Sequence, residues 1–132
     1  MMETQIRDLA RRARSASHSL ADLDTDAKNA WLMRSAKRLE AARQPILAEN
    51  RKDMEEAEAK GLAAPMVKRL SLEGGMWEDM IDGLRAVAAL PDRIGEIVDT
   101  KLRPNGVRVG RMRIPLGVIG IIYESRPNVS VD

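Results

Sequence analysis

Tyr123, Glu124, Ser125, Arg126 and Asn128 fall within six positions of one another, grouped around Pro127. Arg126 has the plainest chemistry of the group, because its planar guanidinium presents a fork of donors that matches a carboxylate or a phosphate. The same side chain can also close a structural ion pair with Glu124 or another carboxylate. Nothing in the surrounding sequence marks Glu124 as a general base, a role that needs a positioned proton to abstract. The chain has no cysteine, so it can supply no disulfide, no thiolate metal site and no thiol nucleophile. His18 is its only histidine, which leaves a metal centre there without a second ligand of that kind.

The polar group is delivered by an apolar stretch. Leu116 to Tyr123 contains Val118, Ile119, Ile121 and Ile122, with Gly117 and Gly120 between them and no polar alternation. Such a run predicts a strand buried on both faces, as in the middle of a parallel sheet. Pro127 cannot donate to a ladder and ends it. In open α/β sheets ligands bind beyond the carboxyl ends of the strands, which places the functional end of the chain in its last fifteen residues. Gly117-x-x-Gly120 lacks the glycine order and the following helix of a dinucleotide fingerprint, and by itself points to close packing. An unpaired edge beside this strand would promote self-association.

Helical periodicity dominates before that. Ile6, Leu9, Ala10, Ala13, Ser17 and Leu20 predict an amphipathic helix over 3–20, with its arginines on a solvated face and His18 exposed. Asp24 or Thr25 can cap a second helix whose apolar face is Trp31, Leu32, Ala36 and Leu39. A third segment runs from about Gln44 to Lys60, with Pro45 in its first turn, Ile46, Leu47, Met54 and Ala57 inward, and Gly61 closing it. The charged run Glu49 to Lys60 reads as solvent face. A short helix begins near Pro65. Ser71 then caps a last helix with Met76, Met80, Leu84 and Val87 as its stripe, and with Gly74 and Gly75 weakening its first turn.

After Pro91 the pattern becomes extended. Ile97 to Arg103 and Val107 to Ile114 flank Pro104-Asn105-Gly106, and Asn-Gly signals a hairpin in which both residues take positive backbone angles. Lys101, Arg103, Arg108, Arg111 and Arg113 make this ribbon basic, without the interleaved aromatic residues that stack on bases. The whole chain carries 22 basic and 20 acidic residues, a balance that implies no bulk nucleic-acid binding. No apolar run approaches the roughly 20 residues of a membrane helix, and the N-terminus lacks a signal-peptide core. A soluble, cytoplasmic protein without membrane or nucleic-acid partners is the expectation; a non-catalytic helical interaction module, its basic hairpin meeting a partner or nucleic acid, is the alternative.

The run P-L-G-V-I-G-I-I-Y-E-S-R-P-N-V from Pro115 to Val129 resembles the γ-glutamyl phosphate reductase (glutamate-5-semialdehyde dehydrogenase) family of the aldehyde dehydrogenase superfamily. Arg-Pro-Asn-Gly-Val at 103–107 and Ala-Leu-Pro-Asp at 89–92 fit the same family, and the resemblance is closest over 85–132. It implies an α/β fold of which this chain is roughly the first third. Residues 1–96 would be the helical part of the cofactor-binding domain, 97–114 an oligomerisation hairpin, and 115–132 the first core strand of a Rossmann-like sheet with its active-site loop. The implied reaction is reduction of L-glutamyl 5-phosphate by NADPH to L-glutamate 5-semialdehyde and phosphate, in proline biosynthesis. A cysteine thiolate would carry the acyl group. Since this chain has none, the resemblance implies that these residues alone are inactive. It also implies a homo-oligomer and glutamate 5-kinase as a partner.

For the site, the resemblance implies Tyr123, Glu124 and Ser125 beside the cofactor, in large part through the main chain, and Arg126 on substrate. A superfamily asparagine helps to donate to the developing oxyanion. Asn128 is the only asparagine in this segment and the candidate for that role. Against the superfamily pattern P-W-N-F-P, however, an ungapped alignment puts Arg126 in the asparagine's place. Both assignments stay open.

Overall fold

The computed structural model describes residues 2 to 131. Five helices come first: α1 (Met2–Leu20), α2 (Thr25–Ala41), α3 (Arg43–Ala59), α4 (Ala64–Leu70) and α5 (Met76–Ala88). An antiparallel hairpin of β1 (Ile97–Leu102) and β2 (Arg108–Met112) follows, then a 3-10 turn at Pro127–Ser130. The chain divides into two compact units, one of Asp26–Leu90 with Ile121–Asp132 and one of Met1–Thr25 with Pro91–Gly120.

The first unit owns the core. Ala36 of α2, Leu47 of α3, Leu72 of the α4–α5 connection, and Trp77, Met80, Ile81 and Leu84 of α5 form one buried cluster, with Leu32, Leu39, Ile46 and Val131 packed against it. Spacing at i, i+3, i+4 and i+7 puts the four α5 side chains on one face. Trp77 is only 2% exposed, and the Arg43 guanidinium lies 5.9 Å from its ring centroid while pairing with Glu78 at 2.7 Å. Arg85 ties α5 to α2 through Glu40 at 2.6 Å and bonds Asp82 at 3.0 Å, and these acceptors, Asp82 foremost, raise its pKa.

One polar side chain is sealed into this interior. Asn50 is 4% exposed. Its Nδ2 donates to the Leu70 carbonyl at 2.7 Å, and its Oδ1 accepts from the Leu72 N–H at 2.9 Å. The two bonds fix α3 to the connection that follows α4. The C-terminus of α3 closes as a Schellman motif, with Gly61 at φ 76°, Gly61 N–H donating to Glu58 and Leu62 N–H to Ala57.

Several expectations change here. Trp31 is 64% exposed, so Ala36 with Leu32 and Leu39, and not the tryptophan, make the inner face of α2. In α5 Met80 and Leu84 are buried as expected and Trp77 is a packing residue as its type suggests, but Ile81 joins them while Met76 and Val87 stay exposed. Ser71 does not cap that helix. Its hydroxyl accepts from the Glu73 N–H at 3.1 Å, and α5 starts after Gly75, whose φ of 98° suits a glycine N-cap. Both Gly74 and Gly75 precede the helix and cost it nothing in propensity.

In the second unit the hairpin turn is Pro104-Asn105-Gly106, with Gly106 N–H donating to Arg103 at 2.9 Å and Arg103 N–H to Val107 at 2.8 Å. Only Gly106 has positive φ, 83°. Pro104 fixes the first turn residue near −65°, which selects a three-residue loop ending in a left-handed glycine over a two-residue turn. The register slips between Val98 and Lys101 at a bulge where Asp99 adopts φ 54°, and Asp99 pairs with Arg111. Arg113 pairs with Glu96 at 3.0 Å. Two of the basic residues of the ribbon thus meet carboxylates of the same hairpin. Across the bulge a Cβ on Gly110 would meet Thr100 Oγ1 at 3.0 Å and Ile97 Cγ2 at 3.1 Å, a tight fit that those side chains would have to relieve by shifting.

Among the described residues of this unit no side chain is buried. Ile6 and Leu9 of α1 lie open, as do Ile97, Leu102, Val109 and Met112 of the hairpin. The exposed helix carries Glu3–Arg7 and Asp8–Arg11 pairs on its surface, and His18 is exposed as expected.

The largest departure concerns Leu116 to Tyr123. The segment is not assigned as a strand, makes no backbone hydrogen bond among the described residues, and leaves Leu116 88% exposed and Ile122 fully so. A parallel strand is buried by flanking strands and crossover helices. Within the described residues the only sheet is the hairpin, so the apolar sequence has no floor to lie on.

Asn50→Ala strands the Leu72 N–H and the Leu70 carbonyl in the interior. It is expected to lower the unfolding free energy by about 2–4 kcal/mol, read from the urea midpoint; an unshifted midpoint would remove Asn50 from its structural role. The open apolar segment predicts self-association at micromolar concentration in sedimentation velocity, reduced by Ile119→Lys. A wild-type chain that sediments as a monomer contradicts this.

Candidate functional site

Tyr123 to Val131 form a compact turn on the helical unit. Glu124 and Ser125 make a bend, and Ser125 adopts φ 55°, a left-handed conformation uncommon for a residue with a Cβ. Arg126 then leads into the 3-10 turn, where Pro127 occupies a first-turn position that needs no N–H. Val129 N–H donates to the Arg126 carbonyl at 3.2 Å, and Val131 N–H to the Asn128 carbonyl at 2.8 Å.

The turn is tethered at two points. Pro127 borders a shallow cleft with Pro45, Ile46, Asn50 and Leu72, so it sits over the α3 end of the core. Val131 packs against the core cluster and lines a second, mostly apolar cleft with Trp31, Leu39 and Leu84. Along the turn Ser125 and Asn128 are half-buried, and Tyr123, Glu124 and Arg126 are exposed. Tyr123 Oη and Ser130 Oγ are 2.6 Å apart, a hydroxyl pair that closes the turn across seven residues.

The sequence-derived candidates therefore share one turn. Among the described residues Arg126 forms no ion pair, with Glu124 or any other carboxylate, so its guanidinium is available to a ligand. Ser130 and Val131 escaped the sequence reading. A serine seven residues after a tyrosine has no periodic signature, and a lone valine at the end of a polar stretch carries no pattern. The described residues contain no cluster of His, Cys, Asp or Glu able to hold a metal ion and no helix long and apolar enough to cross a membrane.

A helical body, a β-hairpin and an extended apolar segment entering a polar turn make the N-terminal part of an aldehyde-dehydrogenase-like fold. Two solved structures share it: γ-glutamyl phosphate reductase of Thermotoga maritima, with TM-score 0.86 and 40% identity over 92% of this chain, and that of Saccharomyces cerevisiae, with TM-score 0.89 and 30% identity over 94%. These alignments cover 30% and 32% of the two solved chains. Among curated proteins the chain is 53% identical over 128 residues to γ-glutamyl phosphate reductase of Geotalea daltonii and 48% identical over 128 residues to that of Carboxydothermus hydrogenoformans. Each match takes in 97% of this chain and 31% of the relative, so the chain spans about a third of the length of the curated relatives it matches. No protein-family model matches it. In sequence and in fold the chain matches the N-terminal part of the γ-glutamyl phosphate reductases.

The left-handed Ser125 gives the turn a test of its own. Ser125→Gly removes the steric penalty and is expected to stabilise the turn by about 1 kcal/mol, whereas Ser125→Val, with a branched Cβ, opens it. Amide exchange at Val129 and Val131 reports both; equal exchange in the two variants would contradict the assignment.

Proposed function

We propose that this chain forms the site wall of an enzyme that reduces L-glutamyl 5-phosphate to L-glutamate 5-semialdehyde and phosphate with NADPH, a cytoplasmic step of proline biosynthesis. The observation that carries the reading is 53% identity across 97% of the chain to a γ-glutamyl phosphate reductase. In this reaction a thiolate attacks the acyl phosphate, phosphate leaves, and the acyl group waits as a thioester for reduction. The thiolate must lie outside these residues, because they include no cysteine. On this reading the 132 residues by themselves catalyse nothing.

The bound cofactor supplies hydride to the thioester carbon. The main chain of Tyr123, Glu124 and Ser125 fits one edge of such a cofactor, since it is extended or bent and its backbone N–H and carbonyl groups make no hydrogen bond among the described residues. A pyrophosphate cradle is not among them. Gly117 and Gly120 lie in an open segment that leads to a four-residue 3-10 turn and to no helix, so the rest of the cofactor's site must be built elsewhere.

Arg126 holds a substrate carboxylate or phosphate through its exposed fork. Asn128, half-buried two positions further along the turn, donates from its amide to the oxygen that becomes negative as the acyl carbon turns tetrahedral. The competing assignment puts Arg126 in that position. Subunit association through residues 97–114, with Lys101, Arg103 and Arg108 facing carboxylates of a neighbour, completes the reading, and glutamate 5-kinase is the partner that supplies the substrate.

Kinetics on a full-length reductase carrying this segment separate the roles. Asn128→Ala is expected to lower kcat about 100-fold with little change in KM, the mark of an interaction made in the transition state. Arg126→Ala is expected to raise KM for the acyl phosphate about 10-fold or more with kcat nearly kept. A kcat loss confined to the Arg126 variant would give Arg126 the oxyanion position, and no effect from either would remove the turn from the site.

A further inference from the structure

The contact between Tyr123 and Ser130 closes the site turn on itself through side chains. The oxygens are 2.6 Å apart, and neither side chain has another hydrogen bond among the described residues. Seven residues separate them, and every candidate site residue after Tyr123 lies inside the loop they close. The geometry around the pair is demanding. Ser125 holds φ 55°, Arg126 sits at φ −141° and ψ 85°, and the 3-10 turn behind them is held by two backbone bonds. A left-handed residue followed by a 3-10 turn persists only where its surroundings impose it. The Val131 end of the loop is fixed by packing on the core. The Tyr123 end follows an unpaired extended segment and has no such anchor.

We propose that Ser130 and Tyr123 are positioning residues: their hydroxyl pair fastens the free end of the turn to its anchored end and so sets where Arg126 and Asn128 present their polar groups. Neither hydroxyl touches the reacting atoms in this role. The inference rests on the acyl-phosphate reductase reading for its kinetic consequence, while the clamp itself rests on geometry alone. An exposed hydroxyl pair contributes little to global stability, so its effect concentrates in the loop it closes.

The test is a double-mutant cycle in a full-length reductase carrying this segment. Ser130→Ala and Tyr123→Phe are each expected to lower kcat for the acyl phosphate about 5-fold, the size of one ordinary hydrogen bond. The double variant is expected to lose no more than either single one, because both remove the same bond. Ser130→Thr, which restores the hydroxyl, should recover most of the rate. Amide exchange at Val129 and Val131 should quicken in both single variants while α5 stays protected. Additive losses, or a Thr variant as slow as the Ala variant, overturn the clamp as a positioning device. If the wild-type enzyme does not reduce the acyl phosphate, the functional reading and the kinetic role fail together, and the exchange data alone decide whether the clamp exists: unchanged exchange overturns it.

Discussion

The pair of hydrogen bonds between Asn50 and the backbone at Leu70 and Leu72 is the interaction on which the core-bearing unit of this chain depends. A buried amide is tolerated only when its donors and acceptors are matched, and here both partners are main-chain groups of a connection that would otherwise be irregular. By holding that connection on α3 the amide carries Leu72 into the core and sets the point from which α5 departs. Trp77 and Ile81 follow from that departure. The same stretch of α3 lines the cleft beside Pro127, so one buried polar residue underlies both the core and the floor of the candidate site.

A different constraint governs the rest. The unit that contains α1 and the hairpin buries no side chain among its described residues, yet it carries a full complement of aliphatic positions. Its order comes from backbone pairing and from a bulge held by Asp99 and Arg111. Surfaces of this kind mark interfaces. The segment from Leu116 to Ile122 obeys the same logic, being strand-like in composition and left open. Chemistry and structure thus point the same way: the thiol that the proposed reaction needs and the strands that the apolar segment needs are both absent from the described residues.

Much of this was legible in the sequence. The helices from Ile6 onward, the closure at Gly61 and the hairpin around Pro104-Asn105-Gly106 depend on local chemistry, and local chemistry is what a sequence records. So does the site turn, since Tyr123 to Asn128 are contiguous. Asn50 was not legible, because it lies inside a charged run whose pattern assigns it to solvent; only the folding of α4 back over α3 buries it. Trp31 lies outside the inner face of α2 for a related reason: periodicity shows that a helix has an apolar face, but the neighbours decide how far round that face extends. Leu116 to Tyr123 was read as buried because its composition assumes sheet neighbours, which the described residues do not include.

The central claim is that these residues supply a binding wall and no nucleophile. It is tested most directly by following NADPH consumption with L-glutamyl 5-phosphate, for this chain alone and for a longer, cysteine-containing chain that includes it. The account predicts turnover only by the longer chain. Turnover by the 132-residue chain, or none by the longer one, would contradict it.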